Sequence, residues 1–188
     1  MAKSKKGTKQ TVGQPQSSKS GDSSTASLIL PPFLYLGPCS AASSSFVSSE
    51  GITHILSIGS TPATKFPNIT YERIPLTDSP TSSLAEAASS AATFLDAVEA
   101  KGGKVLVHCS AAISRSPAVV AAYLVMRKKI PLKEAMGRIV RSRPSVSPNP
   151  GFLAQLNELE QECLGSMSLG LEMLPRKKED RLALFKEG

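Results

Sequence analysis

Cysteine is scarce in this chain of 188 residues, and the three present, Cys39, Cys109 and Cys163, stand far apart with no C-x-x-C pair. That spacing excludes a disulfide framework and a zinc cage, leaves at least one thiol free and suits a reducing compartment. Long apolar runs are missing too, since nothing approaches the roughly 20 residues needed to cross a bilayer. The opening MAKSKKGTKQ lacks the apolar stretch of a secretory signal, Ala2 removes the myristoylation pattern, and the closing FKEG has no prenylation cysteine. The reading is a soluble protein of the cytoplasm, the nucleus or both, with no membrane partner. The net charge of +7 invites a nucleic-acid reading. However, residues 1–27 hold five lysines against one aspartate, so most of the excess lies outside the core and nucleic acid is an unfavoured partner.

What is present organises into one domain with two tails. Residues 1–27 have almost no large apolar side chain and cannot offset the entropy of ordering, which predicts a disordered basic tail. Its cluster Lys3, Lys5, Lys6 and Lys9 reads first as a solvated arm, with a nuclear-import or acidic-partner patch as the alternative. Residues 28–164 form the domain, and 165–188 an extension, partly helical or disordered, in which Leu171, Leu174, Leu182, Leu184 and Phe185 could pack back on the body. Within the domain, Phe33–Leu36, Ile52–Ile58, Ile69–Leu76 and Lys104–His108 read as strands. Ser82–Ala100 has helical spacing and a Gly102-Gly103 stop. Ser116-Pro117 looks like a cap and first-turn proline opening a helix to about Arg127. Two further amphipathic helices contain Leu132 to Val140 and Phe152 to Cys163. The expected fold is α/β: a central mixed, largely parallel sheet of four to five strands flanked by helices.

The segment His108-Cys109-Ser110-Ala111-Ala112-Ile113-Ser114-Arg115-Ser116 puts a cysteine at a strand end and an arginine where a helix begins. A loop of this length can turn the backbone N–H groups of Ser110, Ala111, Ala112, Ile113 and Ser114 inward as an anion nest, reinforced by the helix N-terminus. Arg115 closes the ring with a planar fork matched to phosphate oxygens. The same positive field favours a thiolate, the nucleophilic form of cysteine. A thiolate beside a phosphate cradle predicts in-line attack on phosphorus and a cysteinyl-phosphate intermediate that water hydrolyses, a route requiring no metal or cofactor. The leaving oxygen does need a proton. Asp78 is the candidate acid, because it follows a strand end at the sheet edge where loops collect. Ser116 can ease departure of the sulfur, and His108 can brace the loop through its backbone. Taken singly these residues are bland: a cysteine at a strand end is usually a small buried hydrophobe, an aspartate in a turn usually bonds its own backbone, and His54, in an apolar strand, reads as structural. Cys39 and Cys163 are assigned to packing.

HCSAAISRS resembles the H-C-x-A-G-x-S-R-S signature of the dual-specificity protein phosphatases of the cysteine-based superfamily. ILPPFLYLG, GITHILSIG, ERIPLTDSP, KVLVHC, AVVAAYLVMRKK and RPSVSPNPGFLAQLNELE resemble family segments in family order, over about residues 28–164. The resemblance implies the nucleophile at Cys109, the phosphate arginine at Arg115, the general acid at Asp78 and the leaving-group hydroxyl at Ser116. It also puts Asn149 in the family's Pro-Asn turn, as a structural cap. Residues 110–114 hold no lysine of the kind that lipid phosphatases of the superfamily use for extra phosphates. The core has no room for the pocket-deepening loop of tyrosine-specific relatives, and the expectation is that no separate docking domain precedes it. The expectation is an atypical single-domain member acting on phosphotyrosine and phosphoserine/threonine in a phosphorylated protein, a kinase among the possibilities. The signature's glycine is Ala112 here, where glycine would ease an unusual backbone angle or a close approach to phosphate. At positive φ the alanine would cost on the order of 1 kcal/mol. Two alternatives stand: a phosphate-binding module that has lost turnover, suggested by Ala112, and a phosphatase for RNA 5′ ends or another non-protein substrate, suggested by the basic tail.

Overall fold

The computed structural model describes residues 25–186. Five strands, β1 (Ser27–Leu30), β2 (Leu34–Pro38), β3 (His54–Ile58), β4 (Thr70–Ile74) and β5 (Val105–Cys109), form one sheet in the order β1-β2-β5-β3-β4. The β1/β2 pair is antiparallel and the others are parallel, giving the mixed, mostly parallel sheet expected from the sequence. β5 lies at the centre, and all five of its residues, VLVHC, are buried, which is why it reads as a continuous apolar run rather than an alternating one. Its register places Cys109 opposite Pro38 at the C-terminal edge of the parallel strands.

Six helices cover the sheet: α1 (Ser44–Glu50), α2 (Ala85–Ala100), α3 (Arg115–Lys128), α4 (Leu132–Ser142), α5 (Pro150–Leu164) and α6 (Lys178–Leu184). Alternation along the strands divides the core in two. Leu34, Leu36, Leu56, Ile58, Val105, Val107 and Cys109 join the large cluster with α2, α3, α4 and α5. Tyr35, Ile55 and Leu106 face the other way, into a small cluster with Val47 of α1. Every residue of α3 from Ala118 to Val125 is inaccessible, because this helix is packed by the sheet, α2, α4 and α5. Its run of Ala and Val permits that close approach, and burying each larger side chain stabilises the fold by roughly 1.5–3 kcal/mol. The helix after the cysteine loop is therefore a fixed post.

Three elements differ from the sequence reading. β1 begins at Ser27, one residue inside the expected tail, and Arg143 Nη1 donates to the carbonyl of Thr25, so Thr25–Ser27 belong to the body. The rest of that tail, including the lysine cluster, lies outside the described residues. α1, SSFVSSE, has too little apolar periodicity to be legible. It forms because Ser43 Oγ accepts from Phe46 N, Gly51 closes the helix at φ 67°, and Phe46 and Val47 pack on the small cluster. α3 opens at Arg115, so Ser116 lies in its first turn rather than capping it. In the C-terminal extension Leu174 and Phe185 are buried, and Arg181 donates to the carbonyls of Pro144, Pro175 and Arg176, holding α6 against the body. No helix among the described residues is long and apolar enough to cross a membrane.

Candidate active site

The turn from β5 to α3 brings the sequence-predicted residues together. Cys109 ends the strand, 2% exposed, and its Sγ accepts a hydrogen bond from Ser116 Oγ at 3.2 Å. Residues 110–114 arch over the start of α3. Outside the helix's own ladder, no backbone hydrogen bond starts from the N–H groups of Ala111 to Ser116 among the described residues, which leaves them for an anion. Arg115 reaches back across the loop; its Nε is buried, donates to no acceptor among the described residues and lies 4.0 Å from Asp78 Oδ2. A largely enclosed guanidinium whose buried Nε–H is unused, beside a loop of backbone amides, has the chemistry to hold a tetrahedral oxyanion.

Ala112 has φ 53° and is fully buried, so the backbone does take the left-handed angle that glycine would ease. The loop keeps its strand-loop-helix path nonetheless. The strain, on the order of 1 kcal/mol, is opposed by the burial of the alanine methyl, worth about 0.8 kcal/mol.

Asp78 stands at the rim on the loop after β4. Its Oδ1 accepts from Ser114 Oγ at 2.7 Å and from Asn149 Nδ2 at 2.9 Å, leaving Oδ2 turned toward Arg115. Ser114 therefore does more than line the loop, because its Oγ also accepts from Asn149 N at 3.1 Å. Asn149 caps α5, its Oδ1 accepting from Phe152 N, and Ser147 N donates to the carbonyl of Ile113. The 147–149 segment thus clamps the cysteine loop and the aspartate loop at once. His108 is buried under the site: Nε2 contacts Ser57 Oγ at 2.8 Å and Nδ1 contacts the carbonyl of Cys109 at 3.2 Å. Burial pushes its pKa down, partly opposed by that carbonyl.

Several contributors escaped the sequence reading. Cys39, assigned to packing, donates its backbone N–H to the carbonyl of Ser110, and burial followed by the proximity of Cys109 pushes its thiol pKa up. Arg143 is 5% exposed; burial lowers its pKa and Cys109 opposes that shift. Cys163 and His54 take the structural places expected, Cys163 packed partly buried on the large cluster and His54 against Thr53 Oγ1 and the Phe94 ring. Gly59, just past β3, has φ 73°, and a Cβ there would overlap Arg115 Nη1 and the carbonyl of Leu76. Only glycine provides both the angle and the gap. Gly59→Ala is expected to raise KM for an aryl phosphate and lower kcat/KM by on the order of 10²-fold, as a displacement of about 1 Å in a clamp does. Steady-state kinetics check this, and unchanged kcat/KM would show that Arg115 does not need the gap. The signal available was a glycine directly after an apolar strand in GITHILSIG.

Comparison with known proteins agrees with this geometry. Residues 34–162 match the family described as dual specificity phosphatase, catalytic domain. Human dual specificity protein phosphatase 5 is 44% identical over 137 residues, 72% of this chain and 36% of that protein. Human dual specificity protein phosphatase 4 is 36% identical over 72% of this chain and 35% of its own length. The chain thus spans little more than a third of these curated relatives. Among solved structures, human DUSP28 superposes with a TM-score of 0.69 at 29% identity, covering 75% of this chain and 95% of that one. The human tyrosine phosphatase-like serine/threonine/tyrosine-interacting protein gives 0.67 at 32% identity, covering 74% and 97%. With the family matched over most of the domain and the cysteine loop, arginine and aspartate gathered at one sheet edge, this chain belongs to the dual specificity phosphatases.

Proposed function

We propose that the chain is a phosphoprotein phosphatase that hydrolyses phosphotyrosine and phosphoserine/threonine through a cysteinyl-phosphate. The observation that carries this reading is the position of Cys109 Sγ, hydrogen-bonded to Ser116 at the start of a loop whose N–H groups from Ala111 to Ser116, outside the helix's own ladder, and whose Arg115 Nε donate to no partner among the described residues. The phosphate dianion binds to those amides and to Arg115. The Cys109 thiolate attacks phosphorus in line, an S–P bond forms, and the P–O bond to the substrate breaks as Asp78 gives its proton to the departing oxygen. Asp78, now a carboxylate, takes a proton from water as that water attacks phosphorus. The S–P bond breaks, inorganic phosphate leaves, and the Ser116 hydroxyl eases the negative charge returning to sulfur.

The rim favours a peptide over a lipid headgroup. Residues 110–114 offer no lysine for additional phosphates, and Ile113, 42% exposed, presents an apolar side chain beside the cradle. The second reading, a phosphate-binding module without turnover, draws on Ala112 at positive φ and on the structural relative whose name describes a phosphatase-like interacting protein. Phosphopeptides carrying phosphotyrosine or phosphothreonine decide between them, assayed with the full chain in EDTA. Multiple turnovers on both are expected. Stoichiometric binding with less than one phosphate released per enzyme would establish the binding module instead.

A further inference from the structure

The loop from Leu76 to Leu84 carries Asp78 between β4 and α2. Its own hydrogen bonds, Ser79 N to Thr77 O and Ser82 N to Ser79 O, make consecutive turns, so the loop is one locally bonded unit. What fixes that unit is the start of α5. Asn149 holds the Asp78 carboxylate. The first turn of α5 lies directly against the loop at Gly151, where a Cβ would overlap the Pro80 backbone. Gln155, four residues on and therefore on the same helix face, completes the seat. Its Oε1 accepts from Leu84 N at 2.7 Å, and its Nε2 donates to the Ser82 carbonyl at 2.9 Å and to the Gly151 carbonyl at 3.0 Å.

Three partners of the right polarity fix which way this amide points, because only one oxygen acceptor and two N–H donors satisfy one N–H and two carbonyls. The bond to Leu84 also satisfies an N–H at the opening of α2, where no side-chain cap of its own is present. Gln155 thus joins three things: the far end of the aspartate loop, the first turn of α2, and the helix whose cap grips the cysteine loop. It touches none of the reacting groups.

We infer that Gln155 is a positioning residue for proton transfer by Asp78, holding the aspartate loop at the height and tilt that aim Oδ2 over the cradle. The assignment rests on the reading of Asp78 as general acid. A displaced acid slows reactions whose leaving oxygen needs a proton and spares those whose leaving oxygen does not. A merely structural role would slow both alike.

The test measures kcat/KM of the full chain on phenyl phosphate, a poor leaving group, and on 2,4-dinitrophenyl phosphate, a good one. Gln155→Met removes all three bonds at similar volume. Gln155→Glu keeps the shape and the acceptor but sets an oxygen against two carbonyls, so the proposal remains testable if the first variant folds poorly. Each variant is expected to lose at least about tenfold more on phenyl phosphate than on the dinitrophenyl ester, within the 10²- to 10⁴-fold worth of a general acid. A smaller ratio overturns the assignment. The underlying reading fails separately: it falls if Asp78→Asn shows no such leaving-group dependence, or if Cys109→Ser retains turnover.

Discussion

Replacing Cys109 by serine is expected to remove steady-state hydrolysis of an aryl phosphate by on the order of 10⁴-fold or more, while phosphate-ester binding persists. A serine hydroxyl at neutral pH must lose its proton to attack, and with Asp78 acting as the acid in this step no base among the described residues is placed to take it. His108, the adjacent imidazole, contacts Ser57 on one nitrogen and the Cys109 carbonyl on the other, so neither faces the cradle. Ser116 Oγ, at 3.2 Å from the sulfur, is itself a hydroxyl. The anion nest and Arg115 survive the substitution because they come from the loop backbone and α3. The loss therefore falls on kcat, and the rapid release of phenol before steady state disappears. Quenched-flow kinetics with the wild type and Cys109→Ser check both points. A serine variant with an undiminished early burst would mean that the phosphoryl group is accepted elsewhere.

The second large effect is expected from Arg115→Lys, which keeps the charge. We expect kcat/KM to fall roughly 10²- to 10³-fold, the cost of losing a preorganised donor aimed at transition-state charge. Arg115 Nε is held buried, with its Nη1 seated over Gly59. A lysine ammonium is a point charge on a flexible stem and cannot present two parallel N–H groups to phosphate oxygens. Because those bonds tighten as charge spreads over the equatorial oxygens, kcat should fall more than KM rises. A rise in KM with unchanged kcat would show that Arg115 contributes only ground-state binding. Competitive inhibition by inorganic phosphate gives an independent measure of the cradle in each variant.

These two effects follow from residues legible without coordinates, and the reason is local chemistry. The strand KVLVH, the loop from Cys109 and the proline-marked helix are contiguous, so their spacing by itself allows an anion nest. The match over residues 34–162 is consistent with that motif. The Asp78 loop is legible from chain direction, because loops after parallel strands gather at one sheet edge, and from the family segment ERIPLTDSP with its Ser-Pro turn. Less legible were the parts that depend on partners distant in sequence. Gly59 looks like any strand-ending glycine until Arg115 arrives against it, 56 positions later in the chain. Ser114 reads from the sequence as one more backbone N–H of the loop, yet its hydroxyl serves Asp78 and Asn149. α1 has a serine-rich sequence with no amphipathic signature and exists because the far face of the sheet needs cover.

The sequence by itself determined an α/β domain and pointed to a candidate thiol nucleophile at a strand end, a candidate arginine clamp and a candidate acid, since each is read from residue type and short-range spacing. It also marked Ala112 as the departure, leaving open whether an unusual angle or a close approach was at stake. The tertiary structure decided for the angle, at φ 53° in a buried position. It alone also decided how the acid is held, because Asn149, Gly151 and Gln155 reach Asp78, Pro80, Ser82 and Leu84 only when α5 folds back across the sheet edge. Side-chain hydrogen bonds extend only about 3 Å, so contacts across 71 residues of sequence come into being with the packing that sets them.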